Sequence, residues 1–295
     1  MAEKKKPQTR TDRLMETFDK VVLQGKKEKG FYPSIFAQAS LPYKEPRDKK
    51  YWVNTNGDVN LVLQQGFDTK DKETPQEVGL PYGALPRLII LYLASEAVKT
   101  KKREIKLGEN ISDFLHQLGK GSDSRARKRL IDQARRLFSS TFQFTGKKNG
   151  VLYGKHMPLV SDYQLWIGSG TPQNAADLFA ANVKLSEEFF KEFTNGGAFP
   201  INIEQLKGIS KSPLALDLYM WLVRRLYNLT KPLVLEWEHL EAQFGSQYTE
   251  KRKFRENFRH EINSIKAVWP ELKIEINHSG MALKPSELPI SKIQE

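Results

Sequence analysis

The residues between 125 and 138 combine regularly spaced basic side chains with regularly spaced apolar ones. On a helix that turns 100° per residue, one face is apolar and holds Leu130, Ile131, Ala134, Leu137 and Phe138. The opposite face is mostly cationic, with Arg135 at its edge, and holds Arg125, Lys128, Arg129, Asp132, Arg135 and Arg136. Arginine can bind guanine bidentately in the major groove, and basic side chains along the groove neutralise phosphates. The pattern favours a helix that contacts DNA, although a solvated basic surface helix would share it.

Residues 251–268 show the same division with a more mixed polar face. The apolar side holds Phe254, Phe258, Ile262, Ile265 and Trp269. The polar side holds Arg252, Lys253, Glu256, Arg259, His260 and Asn263. Arginine together with asparagine and histidine suits contacts to base edges as well as to phosphates. An ordinary polar surface is an equally good explanation of this second helix.

The surplus of positive charge is concentrated in one part of the chain. The 295 residues carry 47 Lys and Arg against 35 Asp and Glu, a net charge of +12. Residues 80–150 hold 15 basic and 6 acidic side chains, whereas residues 212–284 hold 11 and 9. A surplus of this size favours a polyanionic partner, either nucleic acid or an anionic membrane. Its concentration argues against a uniformly solvated basic surface.

The elements around the first basic helix follow from periodicity and turn residues. The predicted order is a strand at residues 59–67, a helix at 85–97, a strand at 104–107 and a helix at 111–118. Gly119 ends the last of these helices, and Ser122 or Ser124 is the expected N-cap of the basic helix. Strands at residues 141–145 and 151–153 then form a hairpin. Lys147 and Lys148 at its tip could touch DNA or merely aid solubility.

The second half of the chain repeats this order. The predicted elements are a helix from Pro213, a strand at residues 233–235, helices at 236–244 and 251–268, and a hairpin of 272–276 with 281–284. Gly119 and Gly245, which end the two short helices, lie 126 residues apart. Such self-similarity indicates a duplicated architecture. Two helices joined by a short turn and followed by a hairpin form the winged-helix layout.

The sequence therefore predicts an α+β protein with two tandem winged-helix domains. Its predicted divisions are a basic, partly disordered N-terminal arm (1–50), a first domain (51–160), a linker (161–182), a second domain (183–285) and a C-terminal tail (286–295). Phe31, Ile35, Phe36 and Leu41 are expected to dock part of the arm on the body. The helix at residues 185–193 and the strand at 59–67 could support a homodimer.

Several spaced motifs resemble RepA-type plasmid replication initiator proteins. The longest are residues 79–88 (GLPYGALPRL) and 212–219 (SPLALDLY), the latter followed by Trp221 and Leu222. Shorter matches in the same order are residues 41–43 (LPY), 185–190 (LSEEFF) and 243–245 (QFG). The resemblance extends from about residue 40 to residue 285. It departs from the family pattern at residues 119–124, which lack a bulky and threonine-rich run.

The resemblance implies an initiator that binds repeated double-stranded DNA sites at a plasmid origin. Proteins of this type help to open a neighbouring AT-rich region and bring in the host initiator and the replicative helicase. Many also repress their own gene, often as dimers. A transcriptional repressor without a replication role would use the same scaffold, and the two helices do not separate these functions.

The sequence gives little support to catalysis. Residues 118–122 approach a phosphate-binding loop, but Phe114 stands where its first glycine is needed. A nicking enzyme would need clustered metal ligands and a tyrosine nucleophile. The five histidines, however, show no close metal-ligand spacing, and the ten tyrosines are scattered. We therefore expect no enzymatic activity, no metal and no cofactor.

The remaining features concern the compartment. The chain has no cysteine, which excludes disulfides and thiol catalysis. It also lacks an apolar run of the roughly 18 residues that would span a membrane, and no signal-peptide segment follows Met1–Lys6. No helix pairs a cationic face with an exposed apolar one, which disfavours membrane-surface binding. A cytoplasmic, nucleoid-associated or plasmid-associated protein is expected.

Overall fold

The structure, a computed structural model, describes residues 28–57, 59–68, 74–148, 151–166 and 181–290. These residues form eight helices and five small sheets, which confirms the predicted mixture of helix and strand. Residues 1–27, and with them most of the predicted arm, lie outside the described residues.

The first half of the chain contains nine strands and three helices within the described residues. In chain order they are β1 (Lys29–Pro33), β2 (Tyr51–Asn56), β3 (Val59–Gln64), β4 (Phe67–Asp68), β5 (Gln76–Glu77), α1 (Ala84–Thr100), β6 (Glu104–Gly108), α2 (Ile111–Gln117), α3 (Ser124–Ser139), β7 (Thr141–Lys148), β8 (Val151–Pro158) and β9 (Val160–Gln164).

The second half contains five strands and five helices within the described residues. They are β10 (Ala181–Leu185), α4 (Glu187–Thr194), β11 (Ala198–Asn202), α5 (Ile203–Ile209), α6 (Pro213–Leu226), β12 (Leu233–Glu236), α7 (Trp237–Phe244), α8 (Lys251–Val268), β13 (Ile274–Ile276) and β14 (Gly280–Leu283). The order helix, strand, helix, helix, hairpin thus occurs twice, as the sequence predicts.

The two halves assemble their strands differently. In the second half, β12 and β13 both pair with β14 in one three-stranded sheet. In the first half, the hairpin β7–β8 joins β2 and β3 in the order β2-β3-β7-β8. The strand β6, which occupies the same place in the element order as β12, does not join the sheet of its hairpin. It pairs with β10, and β10 pairs on its other side with β9. The first half therefore departs from the predicted winged-helix sheet.

The described part of the predicted arm belongs to the folded body. β1 pairs antiparallel with β11 from the second half, and the Phe31 N–H donates to Ser95 Oγ on α1 at 2.8 Å. Phe31, Phe36 and Leu41 are buried and Ile35 is half-buried, which confirms their predicted docking. This apolar run is ordered because it gains more from burial than it loses on ordering.

Both ends of the predicted linker are strands. β9 lies at its start and β10 at its end, and the two pair with each other. Val183 and Leu185 alternate into the core, which is the pattern of a half-buried strand. Residues 167–180, the centre of the predicted linker, lie outside the described residues.

A buried ion pair joins the two halves. Arg87 on α1 donates from Nε to Asp217 Oδ1 at 2.6 Å and from Nη2 to Asp217 Oδ2 at 2.8 Å, so α1 is tied to α6. The same guanidinium also donates to the carbonyls of Leu41 and Gly83 at 2.7 and 2.6 Å. Arg87 is fully buried. A bidentate contact with further acceptors is the geometry in which a buried arginine is satisfied.

Candidate nucleic-acid interface

The cap of α3 fixes where the first basic helix begins. The Asp123 carboxylate accepts a hydrogen bond from the Ala126 N–H at 2.8 Å. This bond, together with neighbouring arginines, lowers the pKa of Asp123. The predicted caps, Ser122 or Ser124, are therefore wrong. Asp123 lies just before the helix, where its carboxylate can accept from free backbone N–H groups of the first turn. A negative charge is also favoured at this positive end of the helix dipole.

The two faces of α3 divide as the sequence predicts. Leu130, Ala134, Leu137 and Phe138 are buried, although Ile131 is only half-buried. On the other face Arg125, Lys128, Arg129 and Asp132 are exposed. Among the described residues, no carboxylate lies within ion-pair distance of the three cations Arg125, Lys128 and Arg129, which we call the α3 ridge. The ridge is thus positioned by the core and left open to an anionic ligand.

The last two arginines of α3 have partners within the chain. Arg135 forms an ion pair with Asp68 on β4. Arg136 pairs with Asp132 at 3.0 Å and with Glu45 at 2.9 Å, and its guanidinium lies 5.4 Å from the centre of the Tyr82 ring. Only 16% of the Arg136 side chain is exposed. The structure therefore places these two predicted DNA contacts where they hold neighbouring segments against α3.

The second basic helix, α8, is anchored more firmly and charged more weakly. Phe254, Phe258, Ile262, Ile265 and Trp269 are all buried, which confirms the predicted apolar seam. The predicted outward side chains are exposed, except for half-exposed His260; they are Arg252, Lys253, Glu256, Arg259, His260 and Asn263. Lys253 pairs with Glu250 at 2.6 Å, and the Arg259 guanidinium lies 4.8 Å from the centre of the Trp237 ring. Of the three predicted cations on this face, Lys253 and Arg259 thus already contact other side chains of the chain.

Sequence reasoning missed three basic residues: Lys251 and Arg255 on α8 itself and His278 on the neighbouring hairpin. An open depression of about 720 Å³ is lined by Lys251, Arg252, Arg255, Glu256, Arg259 and His278. Lys251 and Arg255 lie one turn apart and share the carboxylate of Glu241, at 3.2 and 2.7 Å. Their spacing of four residues was the available signal, whereas His278 reaches the depression only because the hairpin folds back.

The tips of the two hairpins differ in what they expose. Lys147 is exposed at the end of β7, whereas residues 149–150 and the side chain of Lys148 lie outside the described part of the chain. Beside this tip Val151 and Leu152 are 66% and 71% exposed. The hairpin of β13 and β14 turns instead at His278 and Ser279.

Two features are absent from the described residues. No group of three or more acidic, cysteine or histidine side chains is arranged to hold a metal ion in this part of the chain. No helix within the same residues is long and apolar enough to cross a membrane.

The fold is similar to that of two crystal structures of domains 2 and 3 of RctB. The first is 15% identical and covers 86% of this chain and 98% of that chain, with a TM-score of 0.56. The second is 14% identical, covers 85% and 96% and has a TM-score of 0.50. At this identity the similarity concerns the fold. The match covers most of this chain and therefore includes parts of both halves.

The family model of plasmid-encoded RepA proteins matches residues 80–238, which is more than half of the chain. The chain belongs to the family of plasmid-encoded RepA proteins, and the resemblance seen in the sequence is confirmed. This membership supports a role as a replication initiator. No curated protein is significantly similar to the chain in sequence.

Proposed function

We propose that this chain initiates plasmid replication by binding repeated double-stranded DNA sites at the origin, without catalysing a reaction. It would then promote opening of the neighbouring duplex and recruit the host initiator and helicase. The observation that carries the proposal is the pair of helices, one in each half, whose apolar face is buried while a polar, cation-bearing face is exposed.

The arrangement around each helix supports docking in the major groove. α2 and α3 are joined by a turn in which Gly119 has a left-handed φ of 67°, and the hairpin β7–β8 follows directly. α7, α8 and the hairpin β13–β14 have the same order. A helix in the groove with a hairpin beside it is the winged-helix mode of contact, which we propose for both halves. Two such units can occupy successive grooves on one face of the duplex.

The charges of the two helices support a division of work. The α3 ridge carries three cations that have no carboxylate within ion-pair distance among the described residues, which suits neutralisation of phosphates. The α8 face offers Arg259, His260 and Asn263, which suits contacts to base edges. We propose that α3 provides much of the salt-dependent affinity and α8 much of the base discrimination.

Plasmid maintenance tests the initiator role. A plasmid carrying only this gene, its flanking DNA and a selectable marker should replicate in a host that cannot otherwise maintain it. Arg125→Gln, Lys128→Gln and Arg129→Gln together should abolish maintenance. The matched control neutralises three exposed lysines outside the two helices, Lys44, Lys102 and Lys106, and should retain it. If the plasmid that carries the unaltered gene is lost while a promoter reporter is still repressed, the chain is a repressor and the initiator proposal fails.

A further inference from the structure

A cleft of about 490 Å³ lies where the two halves meet, between α3 and the start of α6. The first half contributes Tyr82, Lys120 and Arg129 to its wall, and the second half contributes Ser210, Lys211 and Pro213. Ligand sites occur preferentially at such junctions, and this volume lies within the usual range of about 300 to 1,000 Å³. Neither half could form the cleft alone.

The cleft has a net positive charge. Of the described residues that line it, Lys120, Arg129 and Lys211 are cationic and only Asp123 carries a carboxylate. The bond from the Ala126 N–H lowers the pKa of Asp123, so this carboxylate is ionised and directed toward the α3 backbone. The first turn of α6 adds to the positive potential of the cleft, because the N-terminal end of a helix dipole is positive. Among the described lining residues the excess is therefore two positive charges.

Lys120 is held in place inside the cleft. Its ammonium donates to the Ser210 carbonyl at 2.6 Å and to Ser210 Oγ at 3.0 Å. An ammonium has three N–H donors, so one remains for a ligand. Burial in the first place, and then the charges of Lys211 and Arg129, lower the pKa of Lys120 to about 8. Crowded cations that have lost part of their hydration are stabilised when an anion enters between them.

We infer that this cleft binds a phosphate group, with Lys120, Lys211 and Arg129 as its ligands. The phosphate can be carried by a nucleotide or by a DNA strand that lies on the α3 ridge, since Arg129 belongs to both surfaces. The nucleotide source is independent of the proposed function, whereas the DNA source rests on it. Lys120 and Arg129 belong to the first half and Lys211 to the second, so a bound phosphate would connect the two halves.

Calorimetric titration with inorganic pyrophosphate at constant ionic strength tests the site itself. The unaltered chain should bind saturably, and Lys211→Gln should weaken binding about tenfold through loss of one charge-assisted contact. Lys211 is exposed, so this change should leave the fold intact. The matched control is Lys102→Gln, which removes an exposed lysine away from the cleft and should bind like the unaltered chain.

Two further titrations identify the source of the phosphate. If the source is a nucleotide, ADP should bind more tightly than pyrophosphate. If the source is DNA, ADP should bind no more tightly, and Lys211→Gln should reduce the salt slope of DNA binding by about one unit relative to Lys102→Gln. Failure to bind DNA would refute the proposed function alone, because pyrophosphate binding does not depend on it.

The pH dependence gives a separate test. Sulfate stays fully ionised from about pH 7 to about pH 9, the range in which Lys120 loses its proton and a solvated lysine does not. Sulfate affinity should fall across this range, and Lys120→Gln should remove the fall. The other charged or titratable groups that face the site are Arg129, Lys211, Asp123, Tyr43 and Tyr82. The pKa of Asp123 is lowered, and burial raises the pKa of Tyr43 and Tyr82, so these three groups do not titrate in this range.

The inference is overturned by a simple pair of results. These are the absence of saturable pyrophosphate binding by the unaltered chain, and equal salt slopes for Lys211→Gln and Lys102→Gln on DNA. A sulfate affinity that keeps its pH dependence in Lys120→Gln would also exclude Lys120 as the titrating ligand.

Discussion

The two halves of this RepA-family chain share an order of elements but differ in how they hold and charge their exposed helix. α3 begins at a capping carboxylate and exposes three cations that have no carboxylate partner among the described residues. α8 begins without a side-chain cap, and its cations are largely paired or stacked on Trp237. The two halves thus share the core pattern, while their exposed faces differ.

The sheets show the same divergence. The hairpin of the second half completes a small sheet with β12, whereas the hairpin of the first half is extended by β2 and β3. A four-stranded sheet supports a longer hairpin, so β7 and β8 have eight residues each, against three and four in β13 and β14. The first half therefore has the longer hairpin, paired along most of its length with β3.

The largest expected effect tests whether the halves fold as one unit. Arg87→Met should lower the free energy of unfolding by about 3 to 5 kcal/mol, because it leaves Asp217 buried without its partner. Arg87→Met combined with Asp217→Leu should cost much less than the single change. Urea unfolding followed by fluorescence and circular dichroism measures both. Equal losses in the single and double variants would show that the ion pair does not couple the halves.

The next effect concerns the α3 ridge. Neutralising Arg125, Lys128 and Arg129 together should reduce the salt slope of DNA binding by about three units, one for each phosphate contact. Fluorescence anisotropy over a range of salt concentrations measures the slope. The variant that neutralises Lys44, Lys102 and Lys106 is the control. A similar reduction in both variants would mean that only overall charge matters.

A smaller effect is expected on the α8 face. Asn263→Ala should reduce discrimination against altered base pairs by about 1 to 3 kcal/mol, since a bidentate contact to a base edge is lost. It should leave the salt slope unchanged, in contrast to the ridge variant. Competition binding with single-base variants of the site measures the discrimination. A changed slope with unchanged discrimination would reverse the roles assigned to the two helices.

The smallest effect compares the two helix starts. Asp123→Ala should lower the free energy of unfolding by about 1 kcal/mol, because the Ala126 N–H loses its acceptor. Glu250→Ala should cost less, since Glu250 makes no capping bond to α8. Thermal unfolding of both variants beside Asp123→Asn measures the difference. Equal losses at the two positions would contradict the capping asymmetry.

Local features of the fold could be predicted from the sequence, and distant pairings could not. α8 was predicted with its observed bounds, since its apolar spacing and flanking turns are local signals. The pairing of β1 with β11 was missed because the two strands are far apart in the chain and each is short. The same holds for β10, which enters the sheet of β6 and β9.

The candidate site was predictable to a similar degree. The outward faces of α3 and α8 follow from helical periodicity, which places a side chain relative to the core. Periodicity does not show what else reaches that side chain. Arg135 meets Asp68 from 67 residues away, and Arg136 meets Glu45, so neither engagement could be seen in the helix sequence. Lys120 gained its place in the cleft through Ser210, 90 residues along the chain.

Footprinting on the DNA that flanks this gene, at two salt concentrations, tests the central claim most directly. If both halves bind DNA, the protein should protect evenly spaced direct repeats, with two adjacent major grooves protected in each repeat, and the pattern should persist at the higher salt concentration. Protection of a single promoter palindrome would contradict the role at the origin. Weak and uniform protection that disappears at the higher salt concentration would contradict specific binding by either helix.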